Sequence, residues 1–73
     1  MARIPVLSAS EVVRAFQVLG WEVARTGNHI ILVREGDSAS LSVPNHAEVA
    51  KGTLRSLIRD AGLTVAEFTA ALS

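Results

Sequence analysis

The chain contains no cysteine, which excludes a disulfide framework, a thiolate nucleophile and a cysteine-ligated metal, and suits a reducing compartment, so the cytoplasm is the expected location. Tyrosine is also absent, and one Trp and two Phe are the only aromatic residues. With so few rings, Trp21 is expected in the core rather than stacked on a base. Charge of one sign is missing as well: seven Lys and Arg stand against seven Asp and Glu, so bulk electrostatics announces neither a nucleic acid nor a membrane. The longest apolar run is Ile30–Val33, far short of the roughly 20 residues of a membrane helix, and no signal-peptide hydrophobic region opens the chain. Neither export nor a membrane span is expected. Five Gly and two Pro, with hydrophobic residues at 49% against 19% charged, make a globular composition. At 73 residues the chain has room for one domain over residues 1–73 with a small core, which excludes a multi-lobed enzyme.

Ser8-Ala9-Ser10-Glu11 has the form of a capping box, and Val12, Val13, Phe16 and Leu19 follow at helical spacing up to Gly20. This predicts a helix over about residues 9–19. Trp21 to Thr26 alternates, with Trp21, Val23 and Arg25 assigned to one side, and Gly27-Asn28 supplies residues that tolerate positive φ in a tight turn. His29 to Arg34 and Ala39 to Val43 complete a three-stranded antiparallel meander, with Pro44 stopping the third strand. Thr53 is a candidate cap for a second helix whose apolar face is Leu54, Leu57, Ile58 and Ala61, ended by Gly62. Thr64-Val65-Ala66-Glu67 repeats the capping box ahead of a short third helix. The expected fold is α+β, ordered α-β-β-β-α with a short C-terminal helix, and its helices cover one face of the sheet.

His29 and His46 are the only imidazoles, the side chains whose ordinary titration lies near neutrality, and so the first candidates for acid–base chemistry. Considered alone, each is more simply a polar residue finishing a hairpin or bonding backbone in a loop. Two histidines in separate segments with scattered carboxylates do not make a metal site, so no metal and no cofactor are expected. No Gly-x-Ser-x-Gly elbow and no glycine-rich phosphate loop occur. Lys51, Arg55 and Arg59 recur every four residues, a basic line on the second helix that is either a solvated face or a set of phosphate contacts. Arg25 lies close enough to the turn to add another contact near His29. Ile30–Val33 carries apolar groups on both sides of its strand while helices cover only one, which suggests a partner surface.

Several segments together resemble the HicA-type toxins of bacterial toxin–antitoxin pairs. They are Leu19-Gly20-Trp21, Gly27-Asn28-His29 for the family's Gly-Ser-His, Ser42-Val43-Pro44-Asn45-His46 for its Val-Pro-x-His, and Lys51-Gly52-Thr53-Leu54-Arg55-Ser56-Leu57-Ile58-Arg59 with Ala61-Gly62-Leu63. Asn28 stands where the family usually has Ser, and Ile30 where many relatives have a second His. The resemblance implies a double-stranded-RNA-binding-domain-like fold, a ribosome-independent mRNA endoribonuclease (mRNA interferase) with His29 as catalytic residue, and a HicB-type antitoxin as partner. The charge pattern adds Lys51, Arg55, Arg59 and Arg25 as the expected RNA contacts, with His46 as a further phosphate contact or a loop anchor. The antitoxin is expected to cover His29 and the basic face. The alternative is a non-catalytic RNA-binding or protein-interaction module of the same fold.

Overall fold

Ser8 and Glu11 close the capping box as their spacing predicts: in the computed structural model, which describes residues 3–72, Ser8 Oγ accepts from the Glu11 N–H at 3.3 Å and Glu11 Oε1 accepts from the Ser8 N–H at 3.0 Å. The backbone bond from Ser8, with the side-chain bond second, holds the Glu11 carboxyl below the ordinary carboxylate range. Helix α1 (Ala9–Val18) turns Val12, Val13, Ala15 and Phe16 inward. It stops at Gly20, whose φ of 99° is left-handed, so that the Gly20 and Trp21 N–H groups donate back to Gln17 and Phe16.

Three strands follow, β1 (Glu22–Arg25), β2 (His29–Val33) and β3 (Ser40–Pro44), in the antiparallel order β1-β2-β3. Ile30, Leu32, Leu41 and Val43 are buried on the face covered by the helices, while Val33 on the opposite face is 39% exposed and Ile31 is half-buried. Apolar groups on both sides of β2 are therefore present, as the run Ile30–Val33 suggests.

Two strand expectations need correction. The register pairs Val23 with Leu32 but Arg25 with Ile31, so Ala24 is an extra residue and β1 is bulged there. A bulge breaks the two-residue alternation, and Arg25 consequently lies on the open face with Ile31 instead of sharing a side with Val23. Pro44 does not lie just beyond β3 but is its last residue, paired with His29. The missing N–H is tolerated on this edge strand, and the Pro44 carbonyl accepts from the His46 N–H at 2.8 Å.

Helix α2 (Lys51–Asp60) begins earlier than Thr53. Its N-cap is Ala50, without a side-chain hydrogen bond, because the extended chain is held up to Val49 by a bridge with Leu7 and turns immediately afterwards. Leu54, Leu57 and Ile58 are buried, and Gly62, at φ 75°, closes the helix with Leu63. Helix α3 (Val65–Ala70) has its own capping box, Thr64 with Glu67. Its Phe68 ring packs 5.0 Å from that of Phe16, which meets Trp21 edge-on at 6.5 Å. Trp21 is 1% exposed, a core residue as expected. Its Nε1 is the one buried side-chain polar atom without a partner among the described residues. The helices and the covered sheet face share one hydrophobic cluster, and the α-β-β-β-α-α order with its antiparallel sheet is the expected α+β fold.

Candidate functional site

His29 opens β2 at the rim of the sheet, exposed and on the uncovered face with Ile31 and Val33. The turn before it differs from the expected tight hairpin. Gly27 and Asn28 both keep negative φ, and the last β1–β2 pair is Arg25 with Ile31, so a wide loop separates the strands. No backbone hydrogen bond closes that loop from within, among the described residues. The bulge at Ala24 turns Arg25 toward the same loop, and Arg25, Gly27, Asn28, His29 and Ile31 line one shallow cleft of about 280 Å³. An imidazole and a guanidinium thus share a solvent-open concavity, an arrangement suited to an anionic group brought beside a proton-transfer residue.

The loop is secured from β3. The Asn45 N–H donates to the Asn28 carbonyl at 3.0 Å, and the Asn45 Nδ2 donates to the Gly27 carbonyl at 3.0 Å. The following residue ties the same segment to α1, since the His46 carbonyl accepts from the Ala9 N–H at 3.0 Å. His46 thereby anchors the loop through its backbone and leaves its side chain exposed. Sequence reasoning includes Asn45 in a motif but gives it no role. Its side-chain partner is 18 residues away, and no local pattern discloses such a contact.

Lys51, Arg55 and Arg59 are exposed on α2, and none of them lines the cleft. Lys51 is the first helical residue, at a helix start whose N–H groups have no capping side chain, a position where backbone and ammonium both favour an anion. Arg59 lies in the last turn, 3.8 Å from the Asp60 carboxylate, which offsets part of its charge. The structure therefore brings Arg25 and His29 together, and sets the basic line and the His46 side chain outside their cleft.

A larger depression of about 460 Å³ lies between Pro5, Leu7, Glu11, Arg14, Val18, Ala71 and Leu72. Glu11 is already committed to the α1 cap, and the groove is lined by no imidazole, so the smaller cleft is the candidate site. Among the described residues no three His, Asp or Glu side chains are grouped to hold a metal ion, and no helix is long and apolar enough to cross a membrane.

Comparison with known families matches residues 9–63 to the HicA toxin of bacterial toxin–antitoxin. The matched segment runs from the start of α1 through the close of α2, and so contains the sheet, the cleft and the Asn45 loop. No curated protein matches the chain.

Proposed function

The chain belongs to the HicA toxin family of bacterial toxin–antitoxin pairs, and from that premise we propose that it is a ribosome-independent mRNA endoribonuclease in which His29 performs the proton transfer. The observation that carries this reading is the shared cleft of His29 and Arg25 on the uncovered sheet face. With a phosphodiester held by the Arg25 guanidinium, the His29 imidazole takes the proton from the neighbouring 2′-hydroxyl. The 2′-oxygen then bonds to phosphorus, the bond from phosphorus to the 5′-oxygen breaks, and the departing oxygen takes a proton from water, the hydroxide so formed being neutralised by the proton the imidazolium releases. The nucleophile belongs to the RNA, and the step needs no metal ion. A positioned imidazole accounts for about 10²–10⁴-fold of rate in such transfers.

Lys51, Arg55 and Arg59, with the His46 side chain, extend the contact to further phosphates, gripping the strand without reading bases. A HicB-type antitoxin silences the toxin by covering His29 and this basic face. Half-buried Ile31, which lines the cleft, and exposed Val33 at the far end of β2 give such a partner apolar area to bury.

Cleavage of a defined RNA should persist with a chelator present and stop when the nucleotide at the cut carries no 2′-hydroxyl. Mass spectrometry should find 2′,3′-cyclic phosphate and 5′-hydroxyl ends. Dependence on added metal, or cutting of the deoxy substrate, would overturn the mechanism. Binding of RNA without any cutting would make the chain a non-catalytic RNA-binding module instead.

A further inference from the structure

We infer that Asn45 is a positioning residue for His29, a conclusion that rests on the endoribonuclease reading above. His29 itself is paired with Pro44 on the β3 side, but the segment 26–28 that leads into it has little to hold it. It is not a tight turn, because neither Gly27 nor Asn28 adopts a left-handed backbone. A Cβ added at Gly27 would meet only the His29 carbonyl, at 4.0 Å, and Thr26, Gly27 and Asn28 are all exposed, so packing does not fix the loop. The strand ladder on the β1 side ends at Arg25 and Ile31. Two hydrogen bonds remain, and Asn45 makes both: N–H to the Asn28 carbonyl and Nδ2 to the Gly27 carbonyl, each at 3.0 Å.

Asn45 is itself well placed to act as a fixed point. It directly follows Pro44, whose φ is fixed by its ring, and precedes His46, whose carbonyl is bound to the first amide of α1. The contact thus transmits the position of α1 and β3 to the backbone that presents the imidazole. The side-chain bond is exposed, where a hydrogen bond adds little to folding stability, yet a displacement near 1 Å at a reacting group lowers a rate about 10²-fold. Loss of this bond should therefore be felt in turnover far more than in the fold.

The test compares wild type, Asn45→Ala, Asn45→Asp and His29→Ala by steady-state RNA cleavage, thermal melting and amide hydrogen exchange. Asn45→Asp keeps the shape and removes the Nδ2 donor. Both Asn45 variants should lose about 10–100-fold in kcat with KM within about threefold, as expected when ground-state binding is spared. Their melting temperatures should fall by less than about 5 °C, and exchange should accelerate at Asn28 and His29. Added to His29→Ala, the Asn45→Ala change should cause no further loss of the residual rate, because it acts through the imidazole.

Wild-type kcat in both Asn45 variants, with His29→Ala inactive, would overturn the inference alone. A fall confined to KM would do the same, since it would make Asn45 a binding contact. Unfolding of both variants would also overturn it, because a residue that only positions does not hold up the fold. If wild type leaves RNA uncut, the endoribonuclease reading fails, and if His29→Ala cuts normally, the assignment of proton transfer to His29 fails; in either case the role of Asn45 fails with it.

Discussion

Replacing His29 by alanine separates chemistry from folding because its two expected effects differ so much in size. The residue is exposed on the open sheet face, and no side-chain hydrogen bond among the described residues uses its imidazole. A surface substitution of this kind changes stability by about 0.5 kcal/mol or less, which for a domain of this length shifts the melting temperature by about 2–4 °C. Loss of a general acid–base group removes about 10²–10⁴-fold in rate, equivalent to roughly 3–5 kcal/mol of transition-state stabilisation. The catalytic effect should exceed the structural one several-fold in free energy. Single-turnover cleavage of a labelled RNA gives the first quantity, and circular dichroism melts of the same preparations give the second. RNA affinity measured at one salt concentration should be nearly unchanged, since Arg25 and the α2 cations remain. A variant that stays folded, binds RNA and retains more than about a tenth of the wild-type rate would refute the assignment of proton transfer to His29.

Further outcomes follow from the same structure. Lys51→Gln combined with Arg55→Gln should weaken RNA binding across sequences and reduce the slope of log affinity against log salt by about 0.7–0.9 for each phosphate that is no longer neutralised; an unchanged slope would assign these cations to solvated surface. Arg59→Gln should have the smaller effect, because Asp60 lies 3.8 Å away. The depressed Glu11 pKa means that its contribution to α1 is present above the ordinary carboxylate range and is lost as pH falls through the folded-state value, so Glu11→Gln should flatten the acid limb of the stability curve in pH-dependent melts. Phe68→Ala should cost about 3–5 kcal/mol by emptying the space against Phe16, a large part of a small domain's stability, as read from denaturant titration. With antitoxin bound, exchange should slow around Gly27–His29 or along Lys51–Arg59; protection confined to α3 with RNA binding intact would contradict direct site-blocking.

The features legible in the sequence are local ones. Ser8 with Glu11 and Thr64 with Glu67 are contacts three residues apart, and Gly20 and Gly62 mark helix ends by a backbone conformation few other residues accept. The apolar spacing of α1 and α2 likewise discloses which sides are buried. The features that sequence reasoning misplaces depend on distant partners. Helix α2 starts at Lys51 because Leu7 pairs with Val49, a contact that Thr53 does not reveal. Ala24 carries no glycine-like mark of a bulge, and only the register with β2 exposes it. His29 and Arg25 can be named from sequence, but their common cleft depends on that bulge, and the Asn45 contact spans from one end of the hairpin to the loop after β3.

The extra residue in β1 also makes the strand's two halves obey opposite parity. Before Ala24, Val23 counts with Leu32; after it, Arg25 counts with Ile31. The bulge, and not only the identity of the residues, therefore determines which side of the sheet receives the guanidinium. Pairing the full-length strand without the bulge would set Ala24 opposite Ile31 and Arg25 opposite Ile30, on the apolar side, where an unpaired cation is costly, whereas deleting Ala24 would give regular alternation with Arg25 still opposite Ile31. A substitution at Ala24 leaves the parity as it is. For this stretch of chain the cation and the imidazole share a face through a fold in the strand's count, and a β1 that paired without it would disconnect them while both residues remained in the sequence.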